Sequence, residues 1–130
     1  ITLCAGLEAE VATLEPEEQQ EFLESVGLSG SASARLLQGV FKSLDLISFF
    51  TVGEDEVRAW PVRVNSPAPY AGGRVHSDIQ RGFIRAEVVS YAHFQEMGSL
   101  AAARKTGRLR TEGKTYIVQD GDIINFLFNV

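Results

Sequence analysis

The spacing of the apolar residues changes once along this chain, at Leu46, and the change constrains what it can fold into. Upstream, Leu7, Val11 and Leu14, then Phe22, Leu23 and Val26, then Leu36, Leu37, Val40, Phe41 and Leu44 recur at the repeat of amphipathic helices. Downstream, Leu46–Val52, Val57–Val64, Phe83–Ser90 and Ile123–Phe128 are runs or alternations rich in β-branched and aromatic residues, as strands are. The helices of residues 1–45 are too little to close a core independently. Residues 46–130 suffice for a small α+β core.

Local punctuation supports the division. The apolar opening Ile1-Thr2-Leu3-Cys4-Ala5 reads as a buried strand, and a lone strand leaves its backbone groups without partners. With no initiator methionine before it, the chain is expected to be a fragment that opens at the edge of a larger domain. Pro16 ends the first helix and suits the first turn of the next, where Glu17 and Glu18 favour the N-terminal dipole. Gly27 stops that helix, and Ser31 or Ser33 caps the third. In the second region Gly53-Glu54-Asp55 reads as a turn. Pro61 marks Val57–Val64 as an edge strand, with Trp60, Val62 and Val64 on one face. Residues 65–80 read as a loop with a short helix, and Ile84, Ala86 and Val88 as one strand face. Ser99 caps a helix closed by Gly107, and Asp120-Gly121 joins strands at Tyr116–Val118 and Ile123–Phe128 as a hairpin.

Charge divides along the same line. The net charge of −5 is the sum of −6 over residues 1–45 (eight acidic, two basic) and +1 over residues 46–130 (nine acidic, ten basic). Arg104, Lys105, Arg108, Arg110 and Lys114 crowd together, opposed only by Glu112. No apolar run approaches the roughly 20 residues of a membrane span. The single cysteine, Cys4, excludes an internal disulfide and a cysteine-based metal cluster, and is compatible with a cytoplasmic setting.

Several segments carry a resemblance. Phe49 to Trp60, Ala71-Gly72-Gly73-Arg74-Val75-His76-Ser77-Asp78 and Arg81 to Val88 closely resemble the C-terminal domain of YchF-family (Obg-like) P-loop ATPases. Gly113-Lys114-Thr115-Tyr116-Ile117-Val118-Gln119-Asp120-Gly121-Asp122 through Val130 is similar to that family's own terminus. The resemblance spans essentially the whole chain. It implies that residues 46–130 form a TGS domain, a ubiquitin-like β-grasp module also found in threonyl-tRNA synthetases and stringent-response synthetases. Residues 1–45 would then be a strand-plus-helices fragment of the NTPase domain. Cys4, Ala5, Gly6 and Leu7 would match its loop beside the nucleotide base; Gly6 stands where many bacterial members carry lysine, which leaves a backbone contact there. ATP, with GTP weaker, and Mg2+ are implied for the full-length parent, outside this chain. The implied partners are the ribosome, RNA or a translation factor, together with the parent NTPase domain, in the cytoplasm and with no membrane.

Each candidate site has a plainer alternative. Gly113-Lys114-Thr115 imitates the end of a P-loop, but Arg108 stands where the motif needs glycine and strand-like Tyr116-Ile117-Val118 follows where it needs a helix. With no phosphate cradle and magnesium ligand, the chain alone is not expected to be an enzyme. His76 either contacts a partner or, with Asp78, shapes local backbone. His93 is expected to be solvated, Asp120 and Asp122 to belong to the hairpin, Cys4 to be inert and Trp60 to be core. The cations from Arg104 to Lys114 either neutralise phosphates of a docked RNA or ribosome, or form a solvated loop. A structural role, in which the domain packs on the NTPase domain and controls nucleotide access, is the alternative to docking.

Overall fold

In the computed structural model, which describes residues 2–53 and 56–130, the chain divides into two units, Ile1–Leu44 and Asp45–Val130. The first holds three helices: α1 (Ala5–Val11), α2 (Pro16–Ser25) and α3 (Ala32–Ser43). Pro16 opens α2, and Glu15 and Glu18 close a reciprocal capping box around its first turn. Ser31 caps α3 by accepting from the Ala34 amide. Glu8 of α1 ties to α3 twice, through the Ala32 amide at 2.9 Å and the Arg35 guanidinium at 2.6 Å. Val11 and Leu23 are its buried apolar residues, whereas Leu36, Leu37, Val40 and Leu44 of the α3 stripe are exposed.

The expected opening strand is absent from residues 2–4, which are exposed and irregular, with the helix already begun at Ala5. No ladder partner lies beside them among the described residues, so nothing holds them as a strand. Ile1, and Glu54 and Asp55 of the expected turn, lie outside the described residues.

The second unit is a five-stranded sheet of β1 (Leu46–Val52), β2 (Val57–Arg63), β3 (Phe83–Ser90), β4 (Arg110–Glu112) and β5 (Asp122–Phe128), ordered β2-β1-β5-β3-β4. β1 and β5 run parallel at the centre and the other pairs are antiparallel. Helices α4 (Ala68–Val75) and α5 (Ser77–Gly82) separate β2 from β3, and α6 (Tyr91–Met97) and α7 (Leu100–Lys105) separate β3 from β4. A hairpin, a crossing helix and a central parallel pair make this an α+β, β-grasp fold. β2 is an edge, where Pro61 costs no ladder bond.

Strand alternation sends neighbouring residues to opposite faces, and both faces are covered. Phe49, Val62, Ala86, Val88, Ile124 and Phe126 pack with Ala68, Ala71 and Ile79 of α4 and α5. Val89 and Ile123, with Phe50 and Val52, pack with Phe94, Met97, Leu100 and Ala103 of α6 and α7.

Several expectations are corrected here. Residues 65–80 hold two helices rather than a loop with one, and α6 and β4 occupy segments given no element. Ile84 is exposed because the register shifts between Phe83 and Arg85, so Phe83 joins Ala86 and Val88 inside. Val64 lies past the end of β2 and is exposed. Tyr116–Val118 forms only a bridge, Ile117 to Pro67, so there is no Asp120-Gly121 hairpin. Instead the Asp120 carboxylate accepts from the Ser48 amide at 2.9 Å and the Gly121 amide donates to the Ser48 carbonyl at 2.8 Å. That turn, with Gly121 at φ 79°, pins the start of β5 beside β1.

Candidate functional site

The basic cluster begins on α7, whose last turn carries Arg104 and Lys105, and runs through β4 into the exposed turn at Gly113 and Lys114. It is therefore a helix end and an edge strand rather than a free loop. Ser99 starts α7 by accepting from the Ala102 amide, and Gly107, at φ 70°, lets the chain turn towards β4.

Most of the arginines are already engaged. Arg104 donates to Glu87 at 2.8 Å, and Asn125 holds the other Glu87 oxygen at 3.1 Å. Arg110 lies 3.4 Å from Glu112, donates to the Tyr116 hydroxyl at 3.1 Å and sits 5.4 Å over its ring. Arg108 approaches His93 Nε2 at 3.5 Å. His93 is half-buried with that neighbour, which corrects the expectation of a solvated side chain. Lys105 and Lys114 are exposed and in no ion pair among the described residues. Arg108 is exposed like them and likewise in no ion pair among the described residues.

Sequence reasoning missed the network behind it. Asp122 is 2% exposed and its Oδ2 accepts from the Tyr116 hydroxyl at 2.7 Å and the Gln119 amide at 2.9 Å. Burial and then the bond to Asp122 push the Tyr116 phenol up to about 12. Arg110, Tyr116 and Asp122 form a chain from the surface into the sheet that fixes the turn before β5. The one signal was an acid opening a mostly apolar strand.

His76 lies apart from the cluster, at the α4–α5 junction. Its Nδ1 accepts from the Asp78 amide at 3.2 Å and caps α5. Asp78 in turn takes Arg81, whose hydrogen bond holds the carboxyl below its usual value. Trp60 is half-buried at the core rim, donates to Thr51 at 2.9 Å and carries Arg58 at 4.4 Å over its ring.

Cys4, Ala5 and Gly6 are exposed at the start of α1, with Leu7 half-buried. A Cβ on Gly6 would meet nothing within 4 Å. Among the described residues no group of three or more His, Cys, Asp or Glu could hold a metal ion. Nor is any helix of the described residues long and apolar enough to cross a membrane.

Known proteins resemble this chain along its length. The chain is 48% identical over 130 residues to the ribosome-binding ATPase YchF of Bacillus subtilis, covering 100% of this chain and 36% of that protein. It is 44% identical over 129 residues to human Obg-like ATPase 1, covering 99% of this chain and 32% of that one. The solved YchF GTPase of Schizosaccharomyces pombe superposes with a TM-score of 0.77 at 30% identity, over 91% of this chain and 31% of that one. The chain therefore spans about a third of the length of the relatives it matches. Residues 46–129, the β-grasp unit almost entire, match the family profile YchF-GTPase_C, described as a protein of unknown function (DUF933), and the chain belongs to that family.

Proposed function

We propose that this chain is the C-terminal regulatory and binding region of a YchF-type nucleotide-binding protein, and that its β-grasp unit is a TGS domain docking on the ribosome, an RNA or a translation-associated partner. On this reading residues 1–45 continue an NTPase domain, Cys4 to Leu7 border the base, and ATP or more weakly GTP is hydrolysed with Mg2+ elsewhere in the cytoplasmic parent. The observation that carries the reading is the alignment of the full chain with about a third of the length of proteins named ribosome-binding ATPases, together with the match of residues 46–129 to the profile YchF-GTPase_C. Lys105, Arg108 and Lys114, with Arg104 and Arg110 held behind them, supply a physical route, since cations on an edge neutralise phosphates without reading sequence. His76 is the weakest member of the set, because its ring is occupied as a helix cap.

Co-sedimentation of the 130-residue chain with ribosomal particles across a salt series tests this. Binding should weaken with salt and again when Lys105, Arg108 and Lys114 are changed to alanine. No binding at low salt by either protein would sink direct docking. A second reading, control of nucleotide access by packing on the NTPase domain, is favoured by the exposed apolar stripe of α3. It requires that deleting residues 46–130 from the full-length parent alter hydrolysis and leave ribosome affinity unchanged.

A further inference from the structure

The opposite edge of the sheet carries two arginines, Arg63 and Arg74, in no ion pair among the described residues. Leu46, Pro61, Val62, Arg63, Tyr70 and Arg74 line a shallow groove of about 170 Å3 between the end of β2 and α4. Tyr70 and Arg74 are four residues apart on α4 and so share a helix face. Tyr70 is 46% exposed, a large amphipathic ring left at the surface. Arg63 and Arg74 are exposed, and neither is in an ion pair among the described residues. This contrasts with Arg104 and Arg110, which face Glu87 and Glu112.

An exposed aromatic that lines one groove with two guanidinium groups in no ion pair among the described residues has the chemistry of a stacking platform. A base covers the ring while its neighbouring phosphates meet the cations. The chain's net charge of −5 works against diffuse attraction of polyanions, so such binding has to be local. An acidic peptide is the weaker fit, because Pro61 interrupts the β2 edge along which a peptide would add as a strand.

We propose that the β2–α4 groove binds single-stranded RNA, with one base stacked on Tyr70 and adjacent phosphates on Arg63 and Arg74. The proposal rests on the docking reading above but places a second contact on the other edge of the sheet. The test is fluorescence anisotropy of the 130-residue chain with a labelled oligouridylate across a salt series, run beside the ribosome co-sedimentation. Tyr70→Leu should weaken binding about fivefold to a hundredfold and Tyr70→Phe should preserve it. Changing Arg63 and Arg74 to Gln should reduce the logarithmic salt slope by about 1.4, the loss of two phosphate contacts on a single strand. All three side chains are at the surface, so the thermal midpoint should stay put and report that the variants are folded.

If the oligonucleotide binds wild type and Tyr70→Leu alike, and only the Lys105, Arg108 and Lys114 changes release it, the groove is idle while docking through RNA stands. If the oligonucleotide does not bind at low salt yet the chain sediments with ribosomal particles, the groove proposal fails and the docking reading survives. If neither binds, both fail. Displacement by polyglutamate, indifferent to Tyr70→Leu, would mark an acidic-protein face and overturn the assignment to RNA.

Discussion

Tyr116 shows how much a single side chain can hold here. Its hydroxyl donates to the buried Asp122 and accepts from Arg110, and the phenol is raised to about 12. An unfolded tyrosine titrates near about 10. Between those values the folded chain binds more protons than the unfolded one, so stability falls as pH rises. The contribution is full below about pH 10 and lost as pH rises through about 12, with its size reduced by solvent screening of the half-exposed ring. Tyr116→Phe removes the phenol and leaves Asp122 with only the Gln119 amide, at a cost of about 1–2 kcal/mol near neutral pH. Urea unfolding at a series of alkaline pH values should show wild type losing stability more steeply than Tyr116→Phe; equal slopes would clear the phenol of the effect. Little of this was legible in sequence. Tyr116 sat in a segment patterned like a strand and Asp122 beside a turn dipeptide, and nothing local says that a carboxylate six residues along is buried against a phenol. The candidate cations were legible as a cluster with Glu112 inside it, but the engagement of Arg104 and Arg108 was not, because Glu87 and His93 reach them through the fold.

At the scale of elements, two glycines separate packing from propensity. Gly82 closes α5, and a Cβ there would run into the Asn129 carbonyl, which is backbone and has no rotamer to escape by. Gly82→Ala should destabilise by about 1–3 kcal/mol. Gly6 lies inside α1, where an added Cβ meets nothing, so Gly6→Ala should be neutral or stabilise by up to about 1 kcal/mol. The thermal midpoint should fall for Gly82→Ala and hold or rise for Gly6→Ala, and a common fall would refute the packing argument. Helix ends such as Pro16, Ser31 and Ser99 were readable because their signals are local. β1 and β3 were readable from composition. Two features were not. The bulge after Phe83 turns Ile84 out without changing the alternation that precedes pairing. Helix α6 begins at a serine cap, but at 7 residues it is too short to show a periodic stripe, and the sheet supplies the surface for Phe94 and Met97. A clue lay in the doublets Phe49-Phe50, Val88-Val89 and Ile123-Ile124. Neighbouring apolar residues in a strand require cover on both faces, and α6 and α7 are that second cover.

Across the whole molecule the two units differ in what can hold them together. Asp45–Val130 carries a continuous cluster around Phe49, Val88, Ile124 and Phe126 and a second around Val89, Ala103 and Ile123. Its strands pair across long sequence separations, so it should unfold as one cooperative unit. Ile1–Leu44 has helices of 7, 10 and 12 residues, at or below the roughly 12–15 at which isolated helices become stable. Among the described residues Val11 and Leu23 are its only buried apolar residues, and the polar tie is Glu8 to Ala32 and Arg35, with Arg35 Nε buried and without a hydrogen-bond partner there. Residues 45–130 expressed alone should therefore show a sharp thermal transition by circular dichroism. Residues 1–44 alone should lose a modest helicity over a broad range of temperature. Glu8→Gln should lower that helicity further, since it removes the charge that pairs with a guanidinium only 19% exposed. In the 130-residue chain the amides of β1, β3 and β5 should be the slowest to exchange and those of α1 to α3 faster. A sharp transition in residues 1–44 would mean that these helices hold a core of their own, and would remove the exposed stripe of α3 as a reason to expect a partner surface there.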